Sequence, residues 1–575
     1  STLAPSIVLQ LHTFGLHYIK RDPNHVEQDE GSDDDEFYDD EDDDGGDFDN
    51  DEDVSWKVRS RAARLLGMLY ARYSRLLEVF WESSSELFSS MSEREEIVLL
   101  DILGSLRKLL AVSRFAPKGP ALLSDRFKQI NGALVMVLKA KSPRIKHAAF
   151  ACMRDVCLVL PTAFCDHPGT LRKFVETTAP SMAGNTANYG LVTEGLLCLQ
   201  QLFHNYAGAD SGEVVSIVVQ PLLLVMASNY YKVSVEALKV GTEIAAVLKA
   251  FRALGSHDAV AGFATAVHPI FEVTLQQLNG KNVPLDVKEA ALSCLGAMTV
   301  ALNGRDIGTA AWDAILVHLR SDVDAIRVAA LGALRLLLSS ESPFSLKSSL
   351  DDLLELLSTF MKKSHVGLRV SAMECILTVS RAETLSPGQF DLVASLLQTE
   401  LSGPESFLVE SAMRVAQALL AGEYRDATLK LLGPLMPSLA TETVTRASTL
   451  QIFLALLKGM VEADVEAGSK IYRAILENTL EVPTASKHML QTVGECLATL
   501  LLTGPASQYE TMMGEMLQGL ETMSLSERES CISLVTLGIC GRERDLPHPS
   551  ALLALLSTAF DSESVEIRTS AYVCL

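Results

Sequence analysis

The sequence predicts an all-α protein, an α-solenoid built from a long series of two-helix repeats. Three observations support this prediction. The chain has 575 residues, whereas a single compact core usually stops growing near ~250–300 residues. It is rich in Leu, Ala and Val and poor in aromatic residues (6%), and its longest polar linker is one acidic run, so no other domain boundary is evident. A short motif that opens amphipathic helices also recurs along the chain.

The recurring motif is an aliphatic residue, a basic residue, two further residues and an Ala. Its six instances are Val58-Arg59…Ala62, Ile145-Lys146…Ala149, Val287-Lys288…Ala291, Ile326-Arg327…Ala330, Leu368-Arg369…Ala372 and Ile567-Arg568…Ala571. A weaker version, Val233…Ala237, lacks the basic residue. We expect the Ala to allow close helix approach, the aliphatic residue to pack inward, and the basic residue to pair with an acidic or carbonyl group of the neighbouring unit.

Other helices of the same type fill the gaps between these instances. They begin near Ile97, Leu191, Val409, Thr445, His488 and Arg528. Successive units then lie roughly 36–55 residues apart, and about thirteen units fit, as expected for two-helix repeats. Several second helices are marked by a proline, namely Pro5, Pro180, Pro221 and Pro269. Proline lacks a backbone N–H, and N–H groups in the first turn of a helix have no acceptor within the helix. We therefore predict that these prolines lie in first turns.

Residues 27–53 form an acidic run that interrupts the array. The run contains 18 acidic side chains and no Lys or Arg, so it carries most of the net charge of −23 and leaves only −5 for the rest. Such a segment cannot bury enough apolar surface to fold, so we predict a long disordered loop. The predicted divisions are a second helix of a truncated repeat at 1–26, the acidic low-complexity loop at 27–53, and the repeat array at 54–575, with its last repeat truncated.

Composition excludes several classes of protein. The 49 Lys and Arg residues are scattered, whereas a nucleic-acid groove needs basic residues clustered on one face, so we predict no nucleic-acid partner. The apolar stretches are about helix length and interrupted by charge, and no signal peptide is visible, so we predict no membrane contact. Ten dispersed Cys residues without a CxxC pair predict reduced thiols, consistent with the cytoplasm and nucleus.

The sequence offers no catalytic motif. It has no P-loop, no GxGxxG after a strand, no GxSxG and no HExxH. Cys165 and His167 are too close together to form a zinc site without further ligands. A calcium-loop frame from Asp40 to Asp51 lacks the apolar residue and the final Glu that the motif requires. We therefore predict that the protein is not an enzyme and has no catalytic residues, metal or cofactor.

Three residues that follow the acidic run are candidates for partner binding. Trp56, Lys57 and Arg59 lie where the chain re-enters the array. Trp56 either contacts a partner or anchors the loop, and the alternative is a side chain packed between repeats. For Arg59, pairing between repeats is the alternative to partner contact. Ser32, which four acidic residues follow, is a candidate phosphorylation site for an acidophilic kinase.

The repeat pattern resembles HEAT repeats, and one region is more specific. A helix ending in "HYIKRDPNH", the acidic run and then "DEDVSWKVRSRAARLL" resemble the cullin-associated and neddylation-dissociated protein family of HEAT-repeat regulators. Further matching stretches follow in the family's order. They are "SEREEIVLLDILGSLRKLL", "NYYKVSVEALKV", "VPLDVKEAALSCLGAM" and "FDSESVEIRTSAY". The resemblance covers essentially the whole chain, as an internal segment or one half of a split protein.

The resemblance implies a non-catalytic regulator of cullin–RING ubiquitin ligases. Such a protein would wrap the unmodified cullin with its RING subunit, block attachment of the ubiquitin-like modifier, and promote exchange of substrate-receptor modules. The remainder of the array, as a separate chain, is a further expected partner.

Two other interpretations remain open from the sequence. One is an importin-β-type nuclear transport receptor, which is also a HEAT array with an acidic loop and binds basic cargo. The other is a phosphatase-type assembly scaffold, for which a stricter period of about 39 residues is expected.

Overall fold

The computed structural model describes residues 3–20 and 55–480, except 168, 185–186, 205, 207, 209, 340–348, 364 and 441–446, together with scattered residues from 492 to 572. Within these residues the protein is helical and contains no β-strand. The acidic run at 27–53 lies outside them. So do the predicted helix starts at Thr445, His488 and Arg528 and the last motif at Ile567.

The chain divides into two compact units, unit 1 (Ser1–Ala314) and unit 2 (Ile315–Leu575). The described helices of unit 1 are α1 Pro5–Tyr18, α2 Ser55–Arg72, α3 Leu77–Glu82, α4 Ser84–Ser89, α5 Glu96–Phe115, α6 Gly119–Val137, α7 Pro143–Val159, α8 Ala163–Asp166, α9 Thr170–Ala183, α10 Tyr189–Phe203, α11 Ser211–Met226, α12 Tyr231–Phe251, α13 His257–Asn279 and α14 Leu285–Leu302. The unit boundary falls within α15, Arg305–Leu319. The described helices of unit 2 are α16 Asp324–Ser339, α17 Leu350–Met361, α18 Val366–Ala382, α19 Pro387–Leu401, α20 Ser406–Leu420, α21 Arg425–Leu432, α22 Met436–Ser438, α23 Ala447–Ala463 and α24 Val465–Leu480.

Unit 1 is a stack of helix pairs in two layers. The first helices α2, α5, α7, α10, α12 and α14 pack side by side in one layer. The second helices α6, α9, α11 and α13 form the other layer, and each first helix from α5 to α12 is followed by its second helix. This arrangement is the α-solenoid that the repeat pattern predicts, because each pair covers the apolar face of its neighbour.

Unit 2 repeats the same construction. Its first layer contains α16, α18, α20 and α23, and its second layer contains α17, α19, α21 with α22, and α24.

The start of α19 shows how local sequence fixes the first residue of a helix. Ser386 accepts a hydrogen bond from the backbone N–H of Gln389, and the Gln389 side chain accepts one from the backbone N–H of Ser386. This capping box satisfies two N–H groups that a helix otherwise leaves unpaired.

The motif Ala residues are buried, as predicted. They are Ala62, Ala149, Ala237, Ala291, Ala330 and Ala372, none more than 6% exposed. The aliphatic residues are also buried in the motifs that begin at Ile145, Val233, Val287, Ile326 and Leu368. These motifs lie at the starts of first helices, and the predicted helices near Ile97, Leu191 and Val409 are α5, α10 and α20.

Val58 is the exception, and the prediction that it packs inward is wrong. Val58 is 49% exposed, whereas the next residue, Arg59, is 7% exposed. Successive residues of an α-helix point about 100° apart, so the rotation of a helix about its axis decides which of the two is the more buried. In α2 that position belongs to Arg59, because its guanidinium pairs with a buried carboxylate, Glu93.

Three of the four marker prolines are also placed differently from the prediction. Pro5 lies in the first turn of α1, as predicted, but Pro180, Pro221 and Pro269 lie inside α9, α11 and α13. A proline inside a helix removes one hydrogen bond and costs roughly 3 kcal/mol. Packing offsets this cost. Around Pro221, for example, the side chains of Val218 and Leu222 are fully buried between layers.

Candidate partner-binding surface

Ion pairs connect neighbouring repeats at the motif positions. Arg59 Nε lies 2.7 Å from Glu93 Oε2, just before α5. Arg369 of α18 pairs with Glu400 at 2.7 Å and with Glu405, which precedes α20, at 3.2 Å. The predicted pairing between repeats is confirmed for these two motif residues.

Arg327 behaves differently from the other two paired motif arginines. Its Nη1 lies 2.7 Å from Asp324 of its own helix, and its guanidinium lies 5.7 Å from the ring centroid of Phe360 in α17. Arg327 therefore joins the first and second helices of one repeat, whereas Arg59 and Arg369 join successive repeats.

A second set of polar contacts between first helices was not predicted. These contacts are Arg64–Asp101, Arg107–Asp155, Arg154–Glu194, Gln200–Glu236, His204–Glu243 and, in unit 2, Arg335–Glu374. The partners of each pair lie about one repeat apart in sequence. A search of the sequence for polar residues of complementary type one repeat apart would therefore have identified these pairs.

The first helices of unit 1 run in the same direction, so their N-terminal ends lie along one edge. Arg144 at the start of α7 pairs with Glu96 at the start of α5 at 3.2 Å. The rings of Tyr189 at the start of α10 and Tyr230 just before α12 stack with centroids 4.5 Å apart. We call this edge the N-terminal rim, and it is formed by Trp56, Lys57, Ile97, Arg144, Tyr189, Tyr230, Tyr231, Lys232 and Leu285.

The structure places Trp56 and Lys57 on this rim. Both belong to the first turn of α2, where Trp56 is half-buried and Lys57 is exposed. The Lys57 ammonium lies 5.6 Å from the Trp56 ring centroid, a distance typical of a cation–π contact. Their role in partner binding stays a prediction.

Arg59 differs from its two neighbours because its charge is used inside the protein. Its side chain is 9% exposed, Nε donates to Glu93 and Nη1 donates to Ser55 Oγ at 2.6 Å. Arg59 therefore holds the start of α2 against the start of α5. Through that contact it fixes where Trp56 and Lys57 lie. The other sequence candidate, Ser32, lies outside the described residues.

A cluster of three tyrosines continues the rim at α10 and α12. Tyr230 stacks on Tyr189 and lies 5.9 Å from Tyr231, and Lys232 lies 6.0 Å from the Tyr231 ring centroid. Tyr189 and Tyr231 are both exposed. In the sequence, "NYYKVSVEALKV" stood out as a weak copy of the motif and as a stretch that resembles the family, and its tyrosines were not predicted to contact a partner. In a chain with 6% aromatic residues, paired aromatics at helix starts were the missed signal.

Aliphatic side chains extend the rim at the other repeats. Ile97 is the second residue of α5 and is 46% exposed, and Leu285 is the first residue of α14 and is 48% exposed. Single exposed apolar residues are normal on protein surfaces. A row of exposed apolar residues at equivalent positions of successive helices is unusual and is typical of an interaction site. Aromatic residues and Arg are the types enriched in protein–protein interfaces. The rim is thus the candidate partner-binding surface.

The described residues were compared with two kinds of reactive site, metal centres and reactive thiols. They hold no cluster of three or more His, Cys, Asp or Glu side chains positioned to bind a metal ion. Burial raises the pKa of Cys294 to about 11 and that of Cys157 and Cys375 to about 12, so these thiols stay protonated near neutral pH. In the part of the chain that the structure describes, no helix is both long and apolar enough to cross a membrane.

Curated relatives of the chain carry the name cullin-associated NEDD8-dissociated protein 1 or 2. It is 26% identical to "Cullin-associated NEDD8-dissociated protein 1" of Arabidopsis thaliana, with 97% of this chain and 47% of that protein aligned. The protein of the same name from Drosophila melanogaster is 25% identical over the same shares. "Cullin-associated NEDD8-dissociated protein 2" of Mus musculus is 27% identical over 70% of this chain and 33% of that protein. The chain therefore spans about half the length, or less, of the curated relatives it matches.

Solved structures agree on the fold. Importin β in an ammonium sulfate condition matches with a TM-score of 0.58 and 16% identity, over 90% of this chain and 65% of that chain. The Kap95:Nup1 complex matches with a TM-score of 0.56 and 14% identity, over 100% of this chain and 67% of that chain. At these identities the likeness shows the HEAT-repeat solenoid fold alone.

No protein-family model matches the chain. The relatives nevertheless align over nearly its whole length, and they carry the name that the acidic run and the "SWKVR" segment predicted. The resemblance predicted from the sequence is thus confirmed, and this chain is a homologue of the cullin-associated NEDD8-dissociated proteins.

Proposed function

We propose that this chain is a non-catalytic regulator of cullin–RING ubiquitin ligases. It binds a cullin that lacks the ubiquitin-like modifier, together with the RING subunit. In doing so it blocks modification of the cullin and promotes exchange of substrate-receptor modules. The observation that carries the proposal is the alignment of 97% of the chain with a protein named for association with cullins. We place this activity in the cytoplasm and nucleus.

The geometry supports binding over a large surface. Stacked helix pairs expose the same face in every repeat, so modest contacts add up along the array. The N-terminal rim supplies aromatic anchors such as Trp56 and Tyr231, each beside a lysine. Such anchors account for much of the binding energy in protein interfaces. We propose that the rim contacts the cullin.

A pull-down with two forms of one cullin–RING complex tests the proposal. One form carries the ubiquitin-like modifier on the cullin, and the other does not. We expect the immobilised chain to retain the unmodified form and to exclude the modified form, because the modification site would be covered in the complex. Equal retention of both forms, or of neither, contradicts the proposal.

A pull-down with the same immobilised chain also tests the nuclear transport alternative. A transport receptor would retain a small GTPase of the transport system and basic cargo. The chain outside the acidic run carries a formal charge of only −5, which is a weak match for basic cargo. Retention of the GTPase without the cullin would establish the alternative.

A further inference from the structure

A surface cleft of about 430 Å³ lies between the C-terminal halves of α5 and α7. Its apolar floor is formed by the buried side chains of Leu110 and Val159. Clefts of about 300–1,000 Å³ with an apolar floor and a few polar groups are the usual form of binding pockets. Because α5 rises about 1.5 Å per residue, Gly104 and Phe115 at the two ends of the cleft lie roughly 10 Å and 27 Å along the helix from Ile97 of the N-terminal rim. It is therefore a separate surface.

The edge of the cleft carries excess positive charge. Arg107 is neutralised by Asp155, whose Oδ2 lies 2.8 Å from Arg107 Nε. Lys108 and Arg114 also line the cleft, both are exposed, and neither forms an ion pair with another described residue. The Lys108 side chain reaches from the edge of the cleft toward Gly67 of α2, so Arg114 is the free cation that stands beside Phe115.

An exposed aromatic side chain stands beside Arg114. Phe115, the last residue of α5, is 83% exposed, more than any other large apolar residue among those described. The Arg114 guanidinium lies 5.7 Å from its ring centroid. Exposing a whole Phe ring forgoes the ~1.5–3 kcal/mol that its burial contributes. A partner that covers Phe115 and pairs with Arg114 would recover that energy.

Gly104 keeps the cleft open. It lies in the middle of α5, where Gly is less favourable than Ala by roughly 0.5–1 kcal/mol. Close packing does not require it, because a Cβ atom at this position would have no neighbour within 4 Å. The space that a side chain would occupy is part of the cleft.

We propose that the α5–α7 cleft docks an acidic peptide segment of a partner protein, anchored by one aromatic or large aliphatic side chain. The carboxylates pair with Lys108 and Arg114, and the anchor packs on the floor against Phe115. Two free cations are too few for a nucleic acid, which needs a run of phosphate contacts. A small anion alone would leave Phe115 uncovered. This inference does not depend on cullin binding.

Fluorescence anisotropy with the full chain tests the proposal. The probe is a fluorescein-labelled synthetic peptide with one Phe flanked on each side by three Glu. We expect saturable binding that weakens as salt rises, because the charges are exposed. A peptide with Ala in place of Phe, and one with Lys in place of Glu, should each bind at least tenfold more weakly.

Variants assign the binding to the cleft. The double substitution Lys108→Glu and Arg114→Glu should weaken binding at least tenfold, and Gly104→Leu should do the same by filling the cleft without changing charge. Lys173→Glu makes the same type of charge change on the exposed surface of α9 and should have no effect. All four positions are at least partly exposed, so the helical content should be unchanged in circular dichroism.

Three results would overturn the proposal. The first is no binding of the probe to the chain. The second is binding that the cleft substitutions leave unchanged or that Lys173→Glu weakens equally. The third is binding that appears only when residues 27–53 are deleted. Those residues include Phe37, Tyr38 and Phe48 among acidic residues, so the occupant would then be the chain itself.

Discussion

Arg59 and Glu93 form an ion pair that is almost fully removed from solvent, with side chains 9% and 3% exposed and Nε 2.7 Å from Oε2. Glu93 Oε1 also accepts hydrogen bonds from the backbone N–H groups of Arg94 and Glu95, next to the start of α5. One carboxylate thus joins α2 to α5 and orders the N-terminal end of α5.

Replacing Arg59 by Met should destabilise the contact between α2 and α5 by roughly 3–5 kcal/mol, because it leaves Glu93 buried without a counter-charge. Hydrogen exchange of the backbone amides in these two helices measures the loss. Arg64→Met is the matched control. Arg64 also pairs across α2 and α5, with Asp101, but its side chain is 62% exposed, so about 1 kcal/mol or less should be lost.

Replacing both charged residues distinguishes the energetic contribution of the ion pair from that of the packing around it. If the buried charge is the cause, Arg59→Met combined with Glu93→Leu should be less destabilising than Arg59→Met alone. Equal losses in Arg59→Met and Arg64→Met would show that burial of the pair has no energetic consequence.

His12 should make unit 1 sensitive to acid. It is buried against Tyr70 of α2 and Phe80 of α3, and burial lowers its pKa from 6.5 to about 4, partly opposed by the nearby Glu86 carboxylate. Below pH 6.5 the unfolded chain takes up a proton that the folded chain does not. Stability should therefore fall as pH drops from 6.5 to 4, by about 3 kcal/mol in total.

His12→Gln tests this prediction, because glutamine stays neutral over the whole range. Urea denaturation at pH 7, 6, 5 and 4 should show a smaller loss of stability in the variant than in the parent chain. If the stability of the two chains fell equally between pH 7 and pH 4, the acid sensitivity would not be due to His12.

Two glycines within helices of unit 1 should respond oppositely to substitution by Ala. At Gly241 in α12, a Cβ would lie 2.9 Å from Cys294 Sγ and 3.1 Å from Ile270 Cγ2. Gly241→Ala should therefore destabilise by about 1–3 kcal/mol. At Gly132 in α6, nothing lies within 4 Å, so Gly132→Ala should stabilise by roughly 0.5–1 kcal/mol.

Denaturation midpoints of the two glycine variants supply the measurement. The midpoint should move down for Gly241→Ala and up for Gly132→Ala. An upward shift in both variants would mean that helix propensity, and not the approach of neighbouring helices, controls Gly241, and a downward shift in both would mean that Gly132 is also closely packed.

Truncation of rim aromatics should weaken partner binding without unfolding the chain. Trp56→Ala and Tyr231→Ala should each raise the Kd for an unmodified cullin–RING complex about tenfold, which corresponds to about 1.4 kcal/mol. Leu254→Ala is the control, because Leu254 is an exposed apolar residue just after the C-terminal end of α12, at the opposite end of that helix from Tyr231. Surface plasmon resonance measures all three, and an equal effect of Leu254→Ala would show that the rim is not the interface.

Much of the fold could be predicted from the sequence. The motif correctly placed the starts of first helices such as α7 and α14, because amphipathic periodicity and capping act within a few residues. The markers for second helices were less reliable. Pro221 was predicted in a first turn and lies inside α11, because packing of the two layers outweighs the local cost of proline.

The candidate site was less predictable than the fold. Trp56 and Lys57 drew attention because they follow the acidic run. Tyr189, Tyr230 and Leu285 did not, although they continue the same edge. Their alignment depends on the stagger between neighbouring helices, and no local pattern encodes that stagger.

The sequence by itself determined that this protein is helical, that its helices come in repeated pairs, and which family it resembles. The reason is that helix formation and repeat period are recorded in residues close together along the chain. Only the tertiary structure decided that Arg59 is buried while Val58 is exposed, and that Tyr189 stacks on Tyr230. These outcomes depend on the rotation of each helix against its neighbour, which is set by contacts between residues far apart in sequence.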